Sequence, residues 1–259
     1  MNTAQFLTTC WPLKPLAMDA AVLALAVYLK AFGWSRRAWW MLAAALLFLL
    51  TLMSPLAALA DGYLFSAHML QHILLVLAVP ALALLALPPG LRMPERFSML
   101  LHPAVCWACG VAAMWVWHVP ALCDAAVTSR AVSAFQSFTL LGLGAIFWWQ
   151  LLAPCEEQRM APLPAVGYLF AACSACTVLG ILLTFSPVTV CRVYLRPVDA
   201  LGLAPMIEGS WGMNPARDQQ VGGLIMWVPM CLAYLCAIFG QLARWYSEPA
   251  HPAPQPKPA

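Results

Sequence analysis

The chain has 259 residues, 63% of them apolar and only 9% charged, with a mean hydropathy of +0.81. An ordinary soluble domain carries about 25% charged residues, so a water-soluble globule and a disordered chain are both excluded. The formal charge of +3, from 13 basic and 10 acidic residues, is too small and too dispersed for a nucleic-acid surface. What remains is an all-α, polytopic membrane helix bundle.

In chain order, residues 1–16 hold Trp11, two prolines and Lys14. They lack the basic head, apolar core and small-residue cleavage site of a signal peptide. A bilayer core about 30 Å thick needs roughly 20 apolar residues in a helix. Seven stretches approach this, near 17–33, 38–59, 63–87, 104–119, 131–152, 165–186 and 220–246. The fourth is the shortest. They form one domain, residues 1–246, with one long connection, 187–219. Residues 247–259 are a polar, Pro-rich tail that cannot build a core and is expected to be disordered. Pro80 and Pro229 lie inside spans and are expected to kink them. Gly222 and Gly223 open the last span and permit close helix approach.

Seven spans put the termini on opposite sides. One side collects Lys30, Arg36, Arg37, Arg92, Arg96, Arg159, Arg244 and Lys257; the other has Lys14, Arg130, Arg192, Arg196 and Arg217. The richer side is expected to be cytoplasmic, with the N-terminus outside and the C-terminus inside.

Ionisable groups inside spans are costly, and each needs a reason. In this topology His68 and His72 of H-M-L-Q-H fall in the outer half of span 3, and His118 of W-H-V-P near the outer end of span 4. Asp19, Asp61, Asp124 and Asp218 fall on the same side. Reversing the topology moves them together. Residues four apart on a helix share a face, so His68 and His72 can share a metal ion, with His118 as a third ligand. Asp218, Asp124 and Asp61 are candidates to ligate or to orient an imidazole. Met69, Met114 and Met213 would add soft sulfur, which favours Cu(I); Met69 is the sulfur candidate in the site. The plainer alternative is that each His is a packed polar group bonded to a neighbouring helix, and each Met a packing residue.

The pairs Cys106/Cys109 and Cys173/Cys176 have CxxC spacing, which binds metal or cycles as a redox pair. Among ten cysteines such spacings also arise by chance. Cys10, Cys123 and Cys191 fall on the outer side, where oxidation is possible and any pairing is open. Tryptophans near span ends, such as Trp39, Trp40, Trp148 and Trp149, read as a headgroup belt.

H-M-L-Q-H, W-H-V-P-A-L-C-D-A-A, F-W-W at the end of span 5, and D-Q-Q-V-G-G-L-I-M-W-V-P together resemble the integral-membrane CtaG family, over roughly residues 11–246. These are assembly factors for haem-copper cytochrome c oxidases of the caa type. The resemblance implies a multi-pass protein of the bacterial inner (plasma) membrane that handles copper for the oxidase and is not an enzyme. Its motif residues fall on His68, His72, His118, Asp124, Asp218, Gln219, Gln220, Gly222 and Gly223. Where family members often carry a His early in span 5, this chain offers Ser137. The expected cargo is copper as Cu(I). The expected partners are haem-copper oxidase subunits, periplasmic copper chaperones and the lipid bilayer. Gln219, Gln220 and Trp211 are the partner-binding candidates beside or within the long outer loop.

Four rivals stand beside this. A zinc protease would need Glu within HExxH, and Gln71 cannot take a proton. A bis-His haem electron carrier could use His118 with His68 or His72, so haem is a second cofactor candidate. A copper transporter would place its polar site near the midplane. A scaffold would bind oxidase subunits and no metal.

Overall fold

The structure, a computed structural model, describes residues 2–247. Helix α1 (Thr3–Thr9) is fixed by a reciprocal cap: the Asn2 side chain accepts the Gln5 N–H, and the Gln5 side chain accepts the Asn2 N–H. Helix α2 (Pro15–Phe32) begins on a proline, whose missing N–H costs nothing there. It ends at Gly33, whose φ of 70° favours glycine.

Helix α3 (Ala38–Met53) and the short α4 (Pro55–Ala60) replace the continuous stretch expected over 38–59. Pro55 cannot continue the hydrogen-bond ladder, and the Ser54 hydroxyl accepts the N–H of Leu56 to start the new helix. Next come α5 (Phe65–Ile73), one wider π-type turn over Leu74–Ala78, and α6 (Val79–Ala86). They run as one helix, Phe65–Ala86. Pro80 has no N–H to offer the Val76 carbonyl, and the wide turn absorbs the mismatch. Gly144 lets a neighbouring backbone approach that same carbonyl; a Cβ there would also lie 3.0 Å from Val76 Cα.

Helix α7 (Pro103–Trp117) bends by 76° into α8 (Pro120–Thr128), with Pro120 again starting the second piece. Three long helices follow: α9 (Arg130–Leu152), α10 (Pro162–Phe185) and α11 (Pro215–Ser247), the last running through Pro229. Ser247 closes α11; the rest of the expected Pro-rich tail lies outside the described residues.

The described residues contain no strand. Five of their helices are long and apolar enough to cross a membrane, or six if the bent α7–α8 pair is one span. The 16-residue α3 is apolar but falls short of that length. Small residues set the helix contacts. A Cβ on Gly180 would lie 2.5 Å from Trp227 Cβ, and one on Gly223 would lie 2.6 Å from the Thr184 nitrogen. Helices α10 and α11 can therefore pack backbone to backbone, as membrane helices do when van der Waals contact replaces the hydrophobic effect.

Candidate functional site

Helix α5 brings His68, Met69 and His72 into the bundle, where they are 6%, 0% and 1% exposed. Leu64, at the cap position of α5, has no side-chain oxygen to offer the first N–H groups. Asp218, 153 residues after Phe65, supplies it. One carboxylate oxygen accepts the Phe65 N–H at 2.6 Å and the other accepts the Ser66 N–H at 3.0 Å. A buried carboxylate at a helix N-terminus meets both the orphan donors and the positive end of the dipole.

His68 and His72 turn their Nε2 atoms toward each other, 3.1 Å apart. His118 sits where α7 ends and is equally buried. Its Nδ1 faces the Met114 carbonyl, which can only accept, so Nδ1 carries a proton. In the neutral ring this leaves the lone pair on Nε2, and that atom lies 3.0 Å from the Met69 sulfur. A thioether has no proton to give. Two electron-pair donors therefore meet in a buried contact. The ring centroids of His72 and His118 are 5.3 Å apart. The four side chains make two close contacts: His68/His72, whose Nε2 atoms are within hydrogen-bonding distance, and His118/Met69. Among the described residues, no three His, Cys, Asp or Glu side chains converge as a ready-made metal cage.

A small polar cavity of about 10 Å³ borders His68 and His72. Lys14, Asp61, Gln71, Ser133, Gln136 and Ser137 also line it. Room of this size suits about one water. Gln136 lies beside His72 in a geometry that leaves both His72 Nδ1 and Gln136 Nε2 unsatisfied. The Tyr194 ring covers His68, with centroids 6.2 Å apart, and its hydroxyl donates to the Ala60 carbonyl at 2.6 Å. Burial pushes the Tyr194 phenol well above its ordinary range, and the negative charges of Asp61, Asp218 and Asp124 add to this.

Residues 20–248 match the cytochrome c oxidase caa3 assembly factor (Caa3_CtaG) family. The chain belongs to that family. It is also similar to uncharacterized proteins of Mycobacterium bovis and Mycobacterium tuberculosis, each 26% identical over 205 residues, and to one of Mycobacterium leprae, 23% identical over 205 residues. Each match covers 70% of this chain and 30% of the relative, so the chain spans under a third of those proteins. No solved structure matches it.

In this Caa3_CtaG protein most of the other expected site residues make contacts that hold the scaffold. The Asp218 oxygens are engaged by the α5 backbone. An Asp124 oxygen accepts the Val193 N–H at 3.1 Å. Asp61 pairs with Lys14 at 2.8 Å. Gln219 clamps the long loop, accepting the Val190 N–H at 2.8 Å and donating to the Val188 carbonyl at 3.1 Å. Trp211 meets the Phe6 ring edge-on and donates to the Thr3 hydroxyl, holding α1. Gln220 is exposed. Ser137 borders the cavity, and its hydroxyl donates to the Ser133 carbonyl.

Neither CxxC spacing describes the thiol contact that forms. Cys173 meets Cys231 of α11, with sulfurs 3.1 Å apart, and Cys106 accepts a hydrogen bond from Gln150. Cys123 and Cys191 form a disulfide that ties α8 to the long loop, Cα to Cα 5.7 Å. Sequence reasoning missed Lys14 and Tyr194 as parts of the site. Gln136, next to Ser137 in span 5, is legible as a poorer substitute for an imidazole there, since an amide inside a span needs a reason. Tyr194, in an irregular loop, carried none.

Proposed function

We propose that this protein holds Cu(I) in transit to a haem-copper oxidase. The ion is cargo rather than a resident cofactor. The observation that supports this most is His118: its Nδ1 proton is fixed on Met114, so its free electron pair faces the Met69 sulfur at 3.0 Å. His68 and His72 offer a second facing pair. Cu(I) accepts two or three soft or imidazole donors. Two adjoining pairs would let an ion pass from one to the other by ligand exchange, and an open position could take a ligand from the acceptor.

Rival chemistries fit less well. The His72 and His118 rings, 5.3 Å apart, leave no room for a macrocycle between them. Gln71 is committed to donating its amide N–H to the Thr51 carbonyl at 2.7 Å, so it serves as no general base. No covalent step is assigned to the chain.

The proposed arrangement in the bacterial plasma membrane has seven spans, with α3–α4 as the second and bent α7–α8 as the fourth. The N-terminus is outside. Basic residues favour this, and so does the Cys123–Cys191 disulfide, which needs an oxidising compartment. Oxidase subunits and copper chaperones would then meet the loop over 187–214 from the outer side.

Cu(I) content and X-ray absorption on protein purified in mild detergent under reducing conditions test this. The wild type should hold copper on nitrogen and sulfur, and the triple variant His68→Ala, His72→Ala, His118→Ala should lose most of it. Equal copper in both would leave the scaffold function in its place.

A further inference from the structure

Resting on the Cu(I) reading above, we propose that the Lys14–Asp61 ion pair gates the passage by which a monovalent cation reaches His68 and His72. The two side chains belong to the same cavity wall as the imidazoles. They are its charged members, 29% and 44% exposed, while His68 and His72 are 6% and 1% exposed. The cavity is therefore bordered by a partly exposed ion pair and by the buried nitrogen pair. Its room for about one water admits a bare ion and excludes a chelated one.

Charge decides what the gate does. The charges of three carboxylates, Asp61, Asp124 and Asp218, reach Tyr194, which packs on His68. Two are engaged by backbone: Asp218 by α5 and Asp124 by Val193. Asp61 is engaged by a side chain, with the Lys14 ammonium 2.9 Å from one oxygen and 2.8 Å from the other. Lys14 thus occupies the place an incoming cation would take. It is an internal competitor, and the cation enters by displacing it.

The Tyr194 ring that packs on His68 is held differently. Tyr194 is hydrogen-bonded to Ala60, and the flanking loop is held by the Cys123–Cys191 disulfide, by Asp124 and by Gln219. Opening there requires breaking several tethers. Opening at Lys14 requires only rotation of a long side chain. An ion pair this exposed contributes little to stability, so variants of either member should fold.

The test mixes detergent-purified protein with the Cu(I)–acetonitrile complex, without oxygen. It follows tryptophan quenching and copper retained after rapid desalting. Lys14→Gln should load faster than wild type and Asp61→Asn slower, the two differing by on the order of tenfold at low salt. The gap should shrink at high salt as screening sets in. Final copper content and the absorption-edge donor set should match wild type in both. Equal loading rates would overturn the gate. So would a loss of final copper in Asp61→Asn, which would make Asp61 a ligand. The His68→Ala, His72→Ala, His118→Ala protein separates the two proposals: undiminished copper there defeats the Cu(I) site, whatever the rates.

Discussion

Asp218 and Phe65 meet at 2.6 Å, a carboxylate oxygen accepting a backbone N–H across 153 residues of sequence. That contact fastens the start of α5 to the start of α11, and α5 carries His68, Met69 and His72. The orientation of the three donors is therefore set partly by a residue that touches none of them through a hydrogen bond.

Asp218→Ala should leave the Phe65 and Ser66 N–H groups buried without a partner. Such a loss costs about 1–3 kcal/mol for each group left unpaired. Asp218→Asn keeps an acceptor oxygen but loses the charge facing the helix dipole. Thermal unfolding in detergent should rank wild type above Asn and Asn above Ala. An alanine variant that melts with the wild type would mean the cap is not holding α5.

The α10–α11 contact makes a sharper prediction about glycine. A Cβ on Gly223 would collide with the Thr184 backbone and hydroxyl, and backbone cannot rotate away. Gly223→Ala should destabilise the bundle by about 1–3 kcal/mol or more, as overpacking does. Gly167 and Gly240 have open space where a Cβ would stand, so alanine at either should leave the melting temperature near wild type. Similar losses at all three positions would point to backbone freedom rather than close packing.

How far the sequence could be read follows from the range of each interaction. The His68–His72 contact is local, fixed by four-residue spacing on a helix, and H-M-L-Q-H announces it. Met69 is adjacent in sequence, yet its pairing with His118 depends on how α5 and α7 cross, which no spacing encodes. The Asp218 cap spans 153 residues and reads in sequence only as an acidic residue near a span. Cys173/Cys176 points along α10, whereas the sulfur that Cys173 meets belongs to α11. The break after Met53 was legible in Pro55, but the apolar run through 38–59 hides it from a hydropathy count.

Cys123 and Cys191 close a loop of 68 residues. Loss of such a bridge typically costs about 2–5 kcal/mol. Alkylation of denatured, unreduced protein should therefore label eight of the ten cysteines, and reduction should expose the other two. The Cys123→Ser, Cys191→Ser protein should melt lower and lose protection of the loop around Tyr194 in hydrogen exchange. Ten labelled thiols without reductant would remove the bridge, and with it one support for an outward-facing loop.

Met69 offers the most selective test of the donor set. Leucine nearly matches methionine in volume, and such exchanges usually cost under about 1.5 kcal/mol in a packed core. Met69 is fully buried, so Met69→Leu should fold while removing the sulfur that faces His118 Nε2 at 3.0 Å. His68 and His72 remain, so the variant should still bind Cu(I). Its affinity should fall about tenfold, which is about 1.4 kcal/mol, and the sulfur shell should disappear from the X-ray absorption spectrum. Were the sulfur scattering to persist in Met69→Leu, the metal would be sitting on another residue, Met114 or a thiol, and the pairing of His118 with Met69 would be packing alone.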